Sequence, residues 1–264
     1  MLSIFAYSFA LGPWFSIGFV ALIFVHEIGH VVALKRKGLP ASVPVFIPFL
    51  GAAIFSPNLG NRDDEAYVGI AGPVIGGVVA LSLVGATAAL NHPPELLVML
   101  AYIGVFINVL NMIPIRPLDG GRVTQAVGPW FKYIGLFVLV GGTVLLRATG
   151  FLLIWILVLS ELRLPRRFKL IVAWTILVTM VIMLFGGIGL HQPWWLNVID
   201  TVIGLSFCAM ISAVPDELLD DRNNMPQLNS SRKRYWLMIY VTVTVVLIAG
   251  MVISYGHLPP SAKH

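Results

Sequence analysis

The pentapeptide His26-Glu27-Ile28-Gly29-His30 contains the residue types that metal-dependent chemistry requires. An α-helix has ~3.6 residues per turn, so His26 and His30 fall on one face, one turn apart. Two imidazoles so placed can share one zinc ion, with Zn–N bonds of ~2.0–2.1 Å. Glu27 lies about 100° around the helix from His26 and can reach a metal-bound water as a general base. The pattern predicts a hydrolytic metal site.

The sequence around this pentapeptide is apolar, from Trp14 to Val25 and from Val31 to Leu34. The whole chain of 264 residues is 58% hydrophobic and 11% charged, whereas soluble domains carry roughly 25% charged residues. Mean hydropathy is +0.90. We therefore expect an all-α polytopic membrane protein with about 6–8 transmembrane helices. The net charge of +5 resides mainly in short loops, which favours lipid headgroups over nucleic acid as its partner.

The predicted order of spans places the pentapeptide near the cytoplasmic side. The first span, beginning at Ile4 or Trp14 and ending at Leu34, is followed by the basic cluster Lys35-Arg36-Lys37, which predicts a cytoplasmic end. Spans two and three are expected at about 66–90 and 96–113. We assign residues 1–130 to a catalytic core. Residues 131–264 are assigned to additional transmembrane helices, which include a turn near Arg147 and a cytoplasmic loop near 215–234.

The apolar segment from Ser42 to Phe55 is too short to span a bilayer and contains two prolines. It predicts either a small re-entrant β-hairpin near the active site or a loop that dips into lipid. In the first case its edge can pair with an extended substrate by strand addition. The residues expected to bind substrate there are Val45, Phe46, Ile47 and Gly51.

A catalytic zinc site usually has three protein ligands, and Asp119 is the best candidate for the third. It follows a span that returns to the cytoplasmic side, at a break made by two prolines and the pair Gly120-Gly121. A carboxylate between apolar spans needs a partner, which the histidines or the nearby Arg116 and Arg122 could provide. Two groups of residues compete less well: the histidines predicted on the outer side, His92, His191, His257 and His264, and the polar connector residues Asp63, Asp64 and Glu65.

The two motifs together resemble the site-2 protease family of intramembrane zinc metalloproteases. They are His26-Glu27-Ile28-Gly29-His30 and Asn111-x-x-Pro114-x-x-Pro117-Leu118-Asp119-Gly120-Gly121. Ala71-Gly72-Pro73 resembles a third element of the family, and the resemblance covers about residues 14–125. Many relatives have Asn three residues after that proline, where this chain has Gly76.

The resemblance implies that His26, His30 and Asp119 bind one zinc ion per chain, that Glu27 is the catalytic base and that Asn111 stabilises the oxyanion. It implies cleavage of peptide bonds within or near transmembrane segments of membrane-bound regulators, anti-sigma factors or signal-peptide remnants. The expected location is the prokaryotic cytoplasmic membrane, as a multi-pass protein with the active site toward the cytoplasm. Two alternatives are a membrane zinc carrier and a proteolytically inactive zinc-binding scaffold. The sequence leaves the oligomeric state open.

Overall fold

A computed structural model describes residues 8, 12–42, 45–47, 51–53, 59–116, 118–146 and 225–259. Predictions that concern Pro117, Arg147, His191, His264 and the spans within 147–224 lie outside these residues. The elements are α1 (Pro13–Arg36), β1 (Val45–Ile47), β2 (Gly51–Ala53), α2 (Arg62–Ala88), α3 (Glu95–Asn111), α4 (Asp119–Val127), α5 (Phe131–Leu146) and α6 (Ser230–His257).

The chain forms two compact units. One contains Met1–Lys132 together with Pro226–His264, and the other contains Tyr133–Met225. The first unit holds both sequence motifs and includes α6, although α6 follows them by more than a hundred residues. The assignment of a catalytic role to residues 1–130 alone stays a prediction.

Helix α1 carries the pentapeptide and ends just before a glycine that lets the chain change direction. Pro13 occupies its first turn, where a missing N–H costs nothing. Gly38 adopts a positive φ of 70°, and the N–H groups of Leu39 and Gly38 donate to the carbonyls of Leu34 and Lys35, which is a Schellman ending. The basic cluster thus covers the C-terminal turn, where positive charge is favourable.

Helix α2 begins earlier than the sequence suggested. Asn61 caps it, its Oδ1 accepting a hydrogen bond from the backbone N–H of Asp64 at 2.8 Å. Asp63, Asp64 and Glu65, which were predicted to form a polar connector, therefore belong to its first turn, so that prediction is wrong. Glu65 is also buried. Asp64 instead pairs with Lys37 at 2.5 Å, and this contact raises the pKa of Lys37.

Three of the described helices, α1, α2 and α6, are long and apolar enough to cross a membrane, and α3 is a shorter apolar helix. With the apolar composition, they indicate a membrane protein. The count of six to eight spans stays a prediction.

The strands β1 and β2 form a small antiparallel pair. Val45 lies opposite Ala53, Phe46 opposite Ala52 and Ile47 opposite Gly51. The re-entrant placement of this segment in the bilayer, and its contact with substrate, stay predictions.

The chain packs closely against itself at the break between α3 and α4, which contains Gly120 and Gly121. A Cβ atom on Gly120 would collide with the Met112 carbonyl, and one on Gly121 would collide with backbone atoms of Ile115 and Arg116. Only glycines allow the chain to pass this closely. Because Asp119 is the first residue of α4, this packing helps to place the backbone that carries its carboxylate.

Helix α6 completes the core of the first unit. Its buried residues share a cluster with residues of α2, the break and α4, comprising Ala66, Ile70, Met112, Val123, Ala126, Trp236, Tyr240 and Leu247. Polar contacts fix the helix as well, since Arg232 and the indole Nε1 of Trp236 both donate to Asp63.

Candidate metal centre

Side chains from two helices converge on one point in the first unit. The Nε2 atoms of His26 and His30 lie 3.3 Å apart. Asp119 Oδ2 lies 3.0 Å from the first and 3.1 Å from the second. All three residues are buried. The structure thus brings together the three ligands predicted from the sequence, although His26 and Asp119 are 93 residues apart in the chain.

These three atoms fit a zinc ion. Tetrahedral zinc with bonds of ~2.0–2.1 Å to nitrogen and ~2.0–2.2 Å to oxygen requires its ligand atoms to lie about 3.3 Å apart. The observed edges of 3.0, 3.1 and 3.3 Å are close to that value. Two imidazoles and a carboxylate are also a donor set that zinc accepts, and three protein ligands leave the fourth position for water or substrate.

The outer nitrogen of each imidazole has its own partner. His30 Nδ1 lies 2.8 Å from the carbonyl oxygen of Val68 on α2. His26 Nδ1 lies 2.9 Å from Oδ1 of Asn108 on α3. Both partners accept hydrogen bonds, so each imidazole donates through Nδ1 and presents Nε2 to the centre.

Gly72 explains how α2 can pass directly beside the two ligands. A Cβ atom at this position would lie 2.8 Å from His26 Nε2 and closer still to His30 Nε2. Any larger residue would therefore displace the imidazoles or occupy the space between them. This gives a physical reason for the glycine in Ala71-Gly72-Pro73, the element that resembles the family.

The arginines on either side of Asp119 both contact Glu65. Arg116 Nη2 lies 3.0 Å and Arg122 Nε 3.1 Å from Glu65 Oε2. Glu65 was not predicted as part of the site. The signal that could have found it is a carboxylate at the start of an apolar helix with two arginines near the predicted ligand.

The two predicted catalytic residues occupy different surroundings. Glu27 follows His26 on α1 and is partly exposed. The Nδ2 atom of Asn111 donates to the Ile107 carbonyl at 3.0 Å within its own helix. The amide that contacts His26, a predicted ligand, is that of Asn108, which the sequence analysis missed. The sequence feature that could have indicated Asn108 is that it is a second asparagine in the same apolar helix, three residues before Asn111.

The other two described histidines are not part of the group of side chains formed by His26, His30 and Asp119. His92, in the turn between α2 and α3, and His257, at the end of α6, are both exposed. Among the described residues, His26, His30 and Asp119 are the group of histidines and carboxylates that could hold a metal ion.

Comparison with known proteins points to the same chemistry. The chain is 28% identical over 113 residues to a zinc metalloprotease of Methanocaldococcus jannaschii, covering 41% of this chain and 32% of the relative. It is 33% identical over 150 residues to a protein of rice, Oryza sativa, named as a probable chloroplastic zinc metalloprotease, covering 40% of this chain and 28% of the relative. The resemblance to zinc metalloproteases of the site-2 protease type is confirmed.

A third relative extends the range of organisms. A protein of Arabidopsis thaliana, also named as a probable chloroplastic zinc metalloprotease, is 23% identical over 154 residues, covering 41% of this chain and 28% of the relative. The chain thus spans about a third or less of the length of the curated relatives it matches. No family model matches the chain.

Proposed function

We propose that this protein is an intramembrane zinc metalloprotease that hydrolyses peptide bonds within or near transmembrane segments of other membrane proteins. The observation that carries the proposal is the convergence of His26, His30 and Asp119 in a buried triangle of zinc-like dimensions. Helices long and apolar enough to cross a bilayer support it. So does the similarity to proteins named as zinc metalloproteases.

In this mechanism His26, His30 and Asp119 would hold one zinc ion. When bound there, the ion would supply Lewis acidity, which would polarise a carbonyl and lower the pKa of a water molecule toward ~7. Glu27 accepts the proton of the attacking water and afterwards returns it to the amine that leaves. Asn111 donates a hydrogen bond to the oxygen that becomes negative during the attack. It can do so while keeping its contact with Ile107, because an amide nitrogen has two N–H groups.

The substrate must present an extended segment to this centre. A transmembrane helix has its carbonyls engaged in helical hydrogen bonds, so it must unwind locally before it can be attacked. The β1–β2 pair, with Val45, Phe46, Ile47 and Gly51, offers main-chain groups that can hold the extended strand. The substrate classes proposed are membrane-bound transcriptional regulators, anti-sigma factors and signal-peptide remnants.

The proposed location is the prokaryotic cytoplasmic membrane, with the protein crossing it several times. The cluster Lys35-Arg36-Lys37 at the end of α1 supports a cytoplasmic position for this end of the helix. His30 lies about 8 Å along the helix from Lys35 at a rise of ~1.5 Å per residue. Water and the catalytic groups would therefore meet on the cytoplasmic side.

The decisive variant is Glu27→Gln in the full chain, purified in detergent. Gln keeps the size of the side chain but cannot accept the proton, so zinc content should be unchanged and cleavage of a model transmembrane peptide should be abolished. Glu95→Gln is the matched control, since Glu95 is an exposed glutamate at the start of α3. Normal cleavage by zinc-loaded Glu27→Gln would contradict this mechanism.

The same preparations separate the proposed function from its alternatives. A zinc carrier would move zinc into sealed vesicles without cleaving the peptide. An inactive scaffold would bind zinc and do neither. Cleavage that depends on zinc, together with vesicles that take up none, supports the protease.

A further inference from the structure

One buried amide contacts the metal centre from outside the ligand set. Asn108 lies on α3 and is 3% exposed, and its Oδ1 is 2.9 Å from His26 Nδ1. His26 is itself 4% exposed. Burying two polar side chains to this extent costs free energy unless they form hydrogen bonds. We propose that Asn108 is a positioning residue that holds His26 with Nε2 available to the metal.

The orientation of the amide follows from its second contact. The other end of the Asn108 side chain lies 2.8 Å from the carbonyl oxygen of Gly104, one turn earlier in α3. A carbonyl oxygen only accepts, so this end must be the NH₂ group and the end that faces His26 must be the oxygen. The imidazole must then donate through Nδ1. In a neutral imidazole that leaves a lone pair on Nε2, the atom 3.0 Å from Asp119.

Gly76 provides the space that this amide occupies. A Cβ atom at position 76 would lie 2.6 Å from Asn108 Oδ1 and 3.0 Å from its Nδ2. Any side chain on α2 at this point would push the amide away from His26. The glycine at the position where the chain departs from the resembled family is thus the residue that admits Asn108.

The two ligands differ in how they are held. The partner of His30 is the backbone carbonyl of Val68, which no substitution of that residue removes. The partner of His26 is a side chain and can be removed alone. Loss of a residue that orients a ligand typically lowers metal affinity by about 10- to 100-fold. Asn108→Ala should therefore weaken zinc binding by that factor, through free rotation and tautomer exchange of His26.

The experiment measures zinc affinity of the full chain in detergent by competition with a chelator, and the absorption bands of the cobalt(II)-loaded protein. Asn108→Ala should lose affinity and show an altered cobalt spectrum. Asn108→Asp, which keeps an acceptor for Nδ1–H, should regain most of both. Val105→Ala, a truncation of a fully buried residue on the same helix, is the control for a cavity in α3.

A second variant tests the same contact from the other side. Gly76→Ala should reduce zinc affinity as Asn108→Ala does, because the new methyl group displaces the amide. The double variant Gly76→Ala/Asn108→Ala should bind no more weakly than Asn108→Ala, since the clash is gone. Gly85→Ala is the control on α2, because nothing lies within 4 Å of a Cβ atom there.

The inference would be wrong if Asn108→Ala bound zinc as tightly as Val105→Ala and showed an unchanged cobalt spectrum. It would also be wrong if the losses of zinc affinity caused by Gly76→Ala and Asn108→Ala added together in the double variant. The inference rests on the zinc centre of the proposed function but not on proteolysis. A wild-type chain that binds zinc and cleaves nothing would refute the protease and leave the role of Asn108 intact, whereas one that binds no zinc would refute both.

Discussion

The hydroxyl group of Tyr240 donates a hydrogen bond to the carbonyl oxygen of Met112 over 2.6 Å, although 128 residues separate them in the chain. Met112 follows α3 directly, and its carbonyl lies where Gly120 passes. The contact therefore joins α6 to the break that positions Asp119. It gives α6 a structural role beside the candidate metal centre, although none of the three predicted ligands lies on this helix.

Replacement Tyr240→Phe removes this hydrogen bond and keeps the ring. Because both groups are buried, we expect the free energy of unfolding to fall by about 1–3 kcal/mol, the cost of leaving a buried acceptor unsatisfied. Thermal unfolding of the zinc-loaded protein in detergent measures it. Tyr235→Phe removes a hydroxyl from an exposed residue of the same helix and should change the melting temperature much less. Equal shifts for both variants would contradict this role of Tyr240.

Gly72→Ala should abolish tight zinc binding without unfolding α2. The added methyl group would press on His26 Nε2 and His30 Nε2, so the triangle must open, and we expect affinity to fall by more than ~10-fold. Alanine favours the helix itself by about 1 kcal/mol relative to glycine. Zinc competition and helix content by circular dichroism measure the two effects separately.

Gly85→Ala is the matched control for that substitution. It makes the same change in the same helix, where no atom lies within 4 Å of the new methyl group. It should retain zinc affinity. A Gly72→Ala protein that binds zinc as tightly as Gly85→Ala would show that the close approach of α2 does not constrain the ligands.

The cluster of Glu65, Arg116 and Arg122 predicts a large loss of stability in Glu65→Ala. Removing the carboxylate leaves two guanidinium groups, one of them 8% exposed, without their shared partner. Breaking a buried ion pair from one side typically costs about 3–5 kcal/mol. Because both arginines flank Asp119, zinc affinity should fall as well. Lys37→Ala removes a more exposed partner, that of Asp64, and should cost about 0–1 kcal/mol.

Removal of zinc should destabilise the protein. A ligand that binds only the folded state adds about 2.7 kcal/mol at a concentration 100 times its Kd. A chelator should therefore lower the melting temperature of the wild type and leave that of His30→Ala unchanged. His92→Ala, which alters an exposed histidine, should respond to the chelator as the wild type does. A chelator effect that persists in His30→Ala would place the metal elsewhere.

The sequence was sufficient to predict which three side chains meet at the candidate site, because each has a local signature. His26 and His30 follow from helix periodicity, and Asp119 follows from the cost of a carboxylate among apolar spans. Asn108 and Glu65 have no such signature. Their roles depend on how closely α1, α2 and α3 approach one another, which is set by packing at Gly72 and Gly76 and not by any one segment. Between Asn108 and Asn111, only the packed structure distinguishes the amide that contacts His26.

The centre is built from parts of the chain that are made at different times. Helix α1 supplies both histidines, whereas Asp119 follows only after α2 and α3 are complete. A nascent chain that has inserted its first two helices thus carries two imidazoles and no closed triangle, and the amide of Asn108 is also still to come. Synthesis of α4 is the step at which the site acquires its third ligand. The hydrolytic activity proposed for this site can therefore begin only after α4 has been made.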